Sequence, residues 1–372
     1  MRVLHFFKTS LPDTIGGIEQ VIHQIAIGAN KLGLATDVLS LTSNAAERTV
    51  EMDGYLVHRA RMDFQVASTG FSASAFIRFS QLANKADIIH YHFPWPFMDI
   101  VHFATRVKKP TLVSYHSDIV RQKHLLKLYS PLMNKFLASV DCIVATSPNY
   151  LETSDVLKKF LDKVIVIPIG LDKATYQQPT QDNLQYWRGR FGGKFYLFVG
   201  VLRYYKGLHI LLEAAQGTNF PIVIVGSGPI EQELKLQAIQ LGLHNVHFLG
   251  QLSDMDKVTL LMLSYGIVFP SHLRSEAFGI SLLEGAMYGK AMISSEIGTG
   301  TTFINIGSET GLVIPPGDPV ALRQAMQYLW DHPEEVAEMG RRAEERYWQN
   351  FTADKMVSSY VNLYQKLVHR SI

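Results

Sequence analysis

The sequence holds a single cysteine, Cys142, in 372 residues. No internal disulfide is therefore possible, and a reducing compartment is the expected setting. It also lacks an excess of either charge, with 35 Lys and Arg against 33 Asp and Glu, a net +2. That balance excludes a general nucleic-acid binder, which needs a basic surface. No run approaches the roughly 18 uninterrupted apolar residues of a membrane-spanning helix, so any membrane contact is expected to be peripheral. Residues 1–8 are too short and too interrupted in apolar character for a signal peptide. The expected location is the cytoplasm, with the inner face of the cell membrane as a peripheral site. There is no internal repeat and no G-x-G-x-x-G fingerprint.

What is present is a well-packed globular composition, 47% hydrophobic and 18% charged. At about 150 residues per domain the length suggests two domains. Val3-Leu4-His5-Phe6-Phe7 reads as a buried strand. Loop 8–17, ending in Gly16 and Gly17, follows it, then an amphipathic helix from about Ile18 to Leu32 closed by Gly33. Further strands are expected at 36–39, 87–91, 111–115, 142–145 and 164–167, with helical segments between most of them. Apolar strands alternating with helices predict a parallel sheet covered on both faces. Residues 173–193 are polar and read as the linker. The pattern restarts at 195–200, with strands at 222–225, 246–249, 267–269 and 291–293. The fold class is α/β, two Rossmann-like doubly wound domains facing a cleft. The expected division is 1–175, linker 176–193, 194–350, and a last helix 351–372. Ligands of such sheets sit beyond the carboxyl ends of the strands. The Gly16-Gly17 loop and the stretch holding Glu276 and Glu284 are both expected there.

That stretch, residues 270–289 (PSHLRSEAFGISLLEGAMYG), is the richest in the chain. A strand feeds a polar loop carrying Glu276, and a helix starting near Gly279 carries Glu284. Glycine at a helix mouth lets a ligand reach the backbone. The unpaired N–H groups and the dipole there suit a phosphate. Carboxylates on either side accept hydrogen bonds from sugar hydroxyls. A nucleotide sugar has both features. The alternative is an ordinary helix start, with Glu276 solvated in a loop and Glu284 on the surface.

The stretch 200–207 (GVLRYYKG) also opens a helix at a strand end and carries Arg203 and Lys206 near Gly200. Cations there would stabilise a departing diphosphate more than the ground state; otherwise they are surface charges. Residues 225–229 (VGSGP) are a turn or a ligand contact. His116, at the end of a strand, is a satisfied polar residue or a sugar contact. His90 and His92 share a strand face, but no third ligand lies near them in sequence, so no metal site is expected. Asp254 and Asp256 follow Ser253 and read as helix capping rather than a metal-nucleotide motif. Between 100 and 140 stand Arg106, Lys108, Lys109, Arg121, Lys123, Lys127 and Lys135, interleaved with Leu125, Leu126, Leu128, Tyr129 and Phe136. That bias fits an anionic membrane surface or a solvated helix face.

Taken together, these motifs resemble the retaining glycosyltransferases of the GT-B fold, of family-four type within the glycogen-synthase-like superfamily. The resemblance rests on Glu276 and Glu284 with seven residues between them, on Phe269-Pro270-Ser271, on 284–289 (EGAMYG) and on 310–319 (TGLVIPPGDP). It covers nearly the whole chain. Residues 298–305 (GTGTTFIN) are similar to O-antigen mannosyltransferases that use GDP-mannose. The resemblance implies that Glu284 binds the ribose hydroxyls and Glu276 faces the donor sugar. Backbone N–H groups of Phe278, Gly279 and Ile280 would hold sugar and phosphate, and Lys206 the diphosphate, beside Gly200. Gly16 and Gly17 would let the first loop approach donor and acceptor, His116 would touch the donor sugar, and the last helix would cross back onto the N-terminal domain. The family's arginine after the glycine matching Gly200 is replaced by Val201; Arg203 is expected to supply the charge. The implied partners are a nucleotide sugar, a lipid-linked oligosaccharide acceptor, the membrane surface and other polysaccharide assembly enzymes. No metal or other cofactor is expected. The alternatives are a non-catalytic nucleotide-sugar-binding subunit, a sugar-nucleotide epimerase, and a UDP-sugar-using glucosyl- or rhamnosyltransferase.

Overall fold

In a computed structural model of the chain, residues 1–14, 16–44, 49–66, 69–119 and 123–370 are described, Lys123 and His124 by their backbone alone. The first apolar run becomes strand Arg2–Phe6, buried along its last four residues. It lies in the middle of an eight-stranded sheet. To one side, in order, are Ile88–Phe93, Thr111–Tyr115, Cys142–Ala145 and Val164–Val166; to the other are Ala35–Thr42, Tyr55–Arg61 and Thr49–Met52. All neighbours pair in parallel except the last two strands. The chain thus builds outward in one direction from Arg2–Phe6, then returns and builds in the other. A crevice opens at such a reversal, beyond the carboxyl ends of the strands.

Helix Gly17–Lys31 buries Val21, Ile22, Ile25, Ala26 and Ala29, the three-and-four spacing of one helical face. Gly28 turns towards the last helix, Ala353–Arg370. A Cβ there would stand 2.5 Å from a methyl of Val357, so only glycine allows this approach. The first compact unit accordingly comprises residues 1–170 and 353–372. The sequence reading lacked strands Thr49–Met52 and Tyr55–Arg61. The second carries His58, Arg59 and Arg61 in its pattern. Arg59 is nevertheless buried, because its guanidinium pairs with Asp13 at 3.0 Å.

The second unit, residues 171–352, has a six-stranded, all-parallel sheet. Its order is Val246–Gly250, Ile222–Val225, Tyr196–Val199, Gly266–Phe269, Ala291–Ser295 and Gly311–Ile314. Phe198, Leu211, Ile224, Val268, Ile293, Leu322 and Met326 belong to its fully buried core. The reversal falls between Tyr196–Val199 and Gly266–Phe269. The two most promising loops of the sequence, 200–207 and 270–279, leave these two strands.

The linker reading of 176–193 is corrected. Residues Gln181–Phe191 form a helix of the second unit, with Trp187 and Phe191 buried. Asn183 Nδ2 and Trp187 Nε1 both donate to Asp256 Oδ1 at 2.8 Å. The polar residues that suggested a linker are largely this helix's outer face. The chain passes from one unit to the other at 170/171 and again at 352/353.

Candidate active site

In the second unit, helix capping divides the strand ends into two groups. The helices following the two edge strands are capped by side chains. Ser253 Oγ accepts from Asp256 N, and Asp318 accepts from Val320 N and Ala321 N. The helices following the four inner strands begin at Gly207, Ile230, Gly279 and Gly300, and none has a side-chain cap. A protein that caps its outer helices and leaves the inner ones bare leaves unpaired N–H groups around the reversal point. Ser253 capping also accounts for Asp254 and Asp256 as the sequence suggested.

Glycine makes these loops possible. Gly207 has φ +71°, and a Cβ on it would lie 2.0 Å from the carbonyl oxygen of Pro270. Loops 200–207 and 270–279 therefore touch backbone to backbone, and His272 N donates to Tyr205 O at 3.0 Å. A Cβ on Gly226 would lie 2.0 Å from Gly200 O, and one on Gly228 2.4 Å from Leu202 O. The glycines of 225–229 thus serve loop packing. Gly279, at φ +95°, lies against Phe269 at the start of helix Ile280–Met287. On the far side, Arg274 donates to Gly298 O at 2.8 Å, and Gly300 N to Ala277 O at 2.8 Å. Phe278 is buried against Gly300.

Lys206 and Glu276 form an ion pair at this junction, each with about a tenth of its side chain exposed. Ser271 Oγ stands 3.4 Å from the same Glu276 oxygen, and the Lys206 ammonium lies 4.9 Å from the centre of the Phe269 ring. Partial burial makes such a pair costly to break without a replacement anion. Arg203 is exposed beside it, and among the described residues its side chain has no ion-pair partner. Val201, where the family arginine was expected, is also exposed.

Glu284 is buried in the second turn of helix Ile280–Met287. Its Oε1 accepts from Tyr176 Oη at 3.0 Å and from Lys257 Nζ at 3.1 Å. Burial lowers the Lys257 pKa, and the Glu284 and Asp254 carboxylates together more than offset this, leaving it above the ordinary value. Sequence reading missed both partners. They lie 108 and 27 positions from Glu284, and nothing local marks either one. The structure thus brings Gly200, Lys206, Glu276, Phe278, Gly279, Ile280 and Glu284 to the loops and helix around one reversal point. Residues 298–305 are largely structural: Asn305 is fully buried and donates to Ser294 Oγ and Leu312 O.

In the first unit, Gly16 is the uncapped start of helix Gly17–Lys31, with extended backbone. Thr14 Oγ1 donates to Glu19 Oε1 across that start at 3.0 Å. His116 is buried, and its Nε2 is 3.0 Å from His92 Nδ1; His92 Nε2 is in turn 3.0 Å from His5 Nδ1. No third ligand stands near His90 and His92 in sequence, but the fold brings one. His5, on the neighbouring strand in register with His90, brings a third ring, and ligand atoms of the three lie within 4.8 Å of one another. Both His90 nitrogens are occupied by hydrogen bonds, to Tyr364 Oη at 2.8 Å and Ser114 Oγ at 2.7 Å. The rings of His90 and His92 stack at 4.2 Å, so their in-plane lone pairs run side by side rather than converging. Burial pushes the pKa of His5 down to about 3 and that of His116 to about 4, and holds His90 and His92 well below the ordinary value.

Two doubly wound units, one with bare helix starts, a half-buried lysine and two carboxylates at its switch point, define a glycosyltransferase of GT-B architecture. The chain belongs to the group 1 and family 4 glycosyltransferases: residues 15–175 match the family described as Glycosyltransferase Family 4, and residues 188–346 that described as Glycosyl transferases group 1. It is 62% identical to D-rhamnosyltransferase WbpZ of Pseudomonas aeruginosa, over 95% of this chain and 93% of the other. It is 52% identical to O-antigen chain mannosyltransferase C of Escherichia coli, over 99% of both. Among solved structures, sucrose-phosphate synthase from Thermosynechococcus elongatus superposes with a TM-score of 0.82 at 20% identity, covering 99% of each chain. The Anabaena protein HepE in complex with UDP superposes at 0.78, with 18% identity, covering 98% of this chain and 100% of the other. These two likenesses concern the fold.

Proposed function

We propose that the protein is a retaining hexosyltransferase of O-antigen biosynthesis. It moves a manno-configured sugar from a guanosine diphosphate donor to a lipid-linked glycan. The observation that carries the reading is the Lys206–Glu276 pair beside the bare helix start at Gly279, with Glu284 on the same helix. The manno configuration is supported by the two near full-length relatives, one named for mannose and one for D-rhamnose, which is mannose lacking the 6-hydroxyl. GDP-mannose and GDP-D-rhamnose are therefore the two donors to compare.

In this reading the acceptor hydroxyl attacks the anomeric carbon from the face the diphosphate leaves. A leaving phosphate oxygen takes the acceptor proton, and the anomeric configuration is kept. Lys206 turns from Glu276 to the diphosphate, Arg203 adds charge from the loop edge, and the N–H groups at Gly279 and Ile280 complete the neutralisation without a metal. Glu276 then faces the sugar, and Glu284 accepts from the ribose hydroxyls. In the first unit, His116, Gly16 and Gly17 keep the sugar- and acceptor-contact roles that the family resemblance implies for them.

The acceptor's lipid places the enzyme on the inner face of the cell membrane. Helix Lys123–Ser139 exposes Leu125 and Leu128, half and four-fifths accessible, beside exposed Lys127 and Lys135, with Arg106 and Lys108 exposed nearby in sequence. The side chains of Arg121 and Lys123, counted in the same basic segment, lie outside the described residues. Among the described residues, no helix is long and apolar enough to cross a membrane.

The test is incubation with radiolabelled GDP-mannose or GDP-D-rhamnose and a membrane extract holding lipid-linked acceptor, followed by NMR of the new linkage. Label entering the lipid fraction with the donor's anomeric configuration supports the reading. Label released only as free sugar, or an inverted linkage, removes it.

A further inference from the structure

The two oxygens of the Glu284 carboxylate are not equivalent. Tyr176 Oη and Lys257 Nζ both donate to Oε1, at 3.0 and 3.1 Å. Among the described residues Oε2 has no protein partner, and it is not fully enclosed although the residue as a whole is buried. The donors reach Glu284 from two other parts of the second unit. Tyr176 lies just ahead of helix Gln181–Phe191, and Lys257 lies on helix Asp254–Leu263. They also hold each other. The Lys257 ammonium sits 5.3 Å from the centre of the Tyr176 ring, and that ring meets Tyr288 edge-on at 6.3 Å. Asp254, 3.6 Å from Lys257 Nζ, limits its swing.

A carboxylate gripped by two donors on one oxygen cannot turn about its last torsion without losing both bonds. Its second oxygen then points in one direction. The ammonium also cancels the carboxylate's charge, which would otherwise repel an anionic nucleotide. We propose that Tyr176 and Lys257 are positioning residues that present Glu284 Oε2 as a fixed acceptor for the vicinal hydroxyls of a ribose. This inference rests on the reading of Glu284 as the ribose ligand, and it adds two residues to the donor site that touch the nucleotide only through that carboxylate. A merely structural role would be different: the pair would pin residues 171–180 to the domain and leave ligand preference untouched.

The experiment first takes whichever of GDP, UDP and ADP raises the wild-type Tm most. Its dissociation constant and that of its 2′,3′-dideoxy form are then measured by calorimetry on the wild type, Tyr176→Phe and Lys257→Met. Tyr176→Phe keeps the ring and its contacts, and Lys257→Met keeps the stem. The wild type is expected to prefer the ribonucleotide about tenfold or more, the size of a hydrogen bond to a charged group. In each variant that preference shrinks to about threefold or less because ribonucleotide binding alone weakens, and in turnover the loss falls on donor KM rather than kcat. An undiminished preference in both variants overturns the inference and leaves Glu284 as ribose ligand. Equal weakening of both nucleotides with a lowered Tm overturns it in favour of structural anchoring. A wild type that does not prefer the ribonucleotide, or that none of the three nucleotides stabilises, overturns the Glu284 reading and the inference with it.

Discussion

Lys206 has two uses in this protein. One is observed, the answer of its ammonium to the Glu276 carboxylate in a nearly closed setting; the other is the proposed answer to a departing phosphate in turnover. Losing one preorganised charge of this kind costs about 10²–10³ in rate. Lys206→Ala is therefore expected to lower kcat by about that factor, and steady-state kinetics with saturating donor would show it. Near-normal turnover would remove Lys206 from the chemistry. Gly207 makes a different prediction, one of stability. Its positive φ and the Pro270 carbonyl 2.0 Å from any Cβ mean that Gly207→Ala must push two loops apart. A strained left-handed residue alone costs about 1–3 kcal/mol. The variant is expected to melt several degrees lower and to lose donor binding together with stability, which a thermal melt with and without nucleotide would detect. The lysine, both glutamates and the glycines stand in local motifs, so they were legible in the sequence. Tyr176 and Lys257 were not, because a contact across 108 or 27 positions leaves no local pattern.

At the scale of elements, His5, His90, His92, Ser114 and His116, on or just beyond three neighbouring strands, form a polar seam inside the sheet. The last helix closes it: Tyr364 Oη bonds His90, and Tyr360 Oη bonds Ser114 at 2.7 Å. Beyond His90 and His92 the seam leaves no local trace, since the strand pairing that adds His5 is non-local. These imidazoles are neutral in the fold because burial disfavours their charged form. The unfolded chain binds protons below its ordinary histidine pKa of about 6.5, and the folded one does not until about 4 or lower. Stability is thus fully present above about pH 6.5 and declines as pH falls towards 4, by up to about 1.4 kcal/mol per histidine per pH unit. Urea midpoints measured at pH 7.5 and 5.5 should differ accordingly; equal midpoints would mean that the seam is hydrated or charged. Tyr364→Phe should cost about 1–3 kcal/mol by stranding His90 Nδ1. Its own urea midpoint at pH 7.5 measures this.

At the scale of the whole molecule, the alternation of apolar strands with helices is enough to reveal two doubly wound domains. It is not enough to place the joint. Residues 176–193 looked like a linker because eleven of them form a helix with a wet outer face, and its buried side rests on only two aromatics. Charged strand Tyr55–Arg61 was hidden for the related reason that an ion pair, not apolarity, buries Arg59. A nucleoside diphosphate that binds only the folded state should stabilise it by about 2.7 kcal/mol at a hundred times Kd. A melt against GDP, UDP and ADP is expected to single out GDP; a flat response to all three would contradict the donor reading.

The first unit is stitched from both sides of the second, and this fixes an order of birth. On the ribosome, residues 1–170 emerge with their histidine seam uncovered. They wait through the making of the intervening unit, about 10–40 s at 5–20 residues per second. The later-born unit, being continuous, can finish before the earlier one. During that interval the surface that Val357, Tyr360 and Tyr364 will cover, from Gly28 to the histidine seam, is bare in a crowded cell, and a nascent chain stalled before residue 353 is the form most in need of a chaperone.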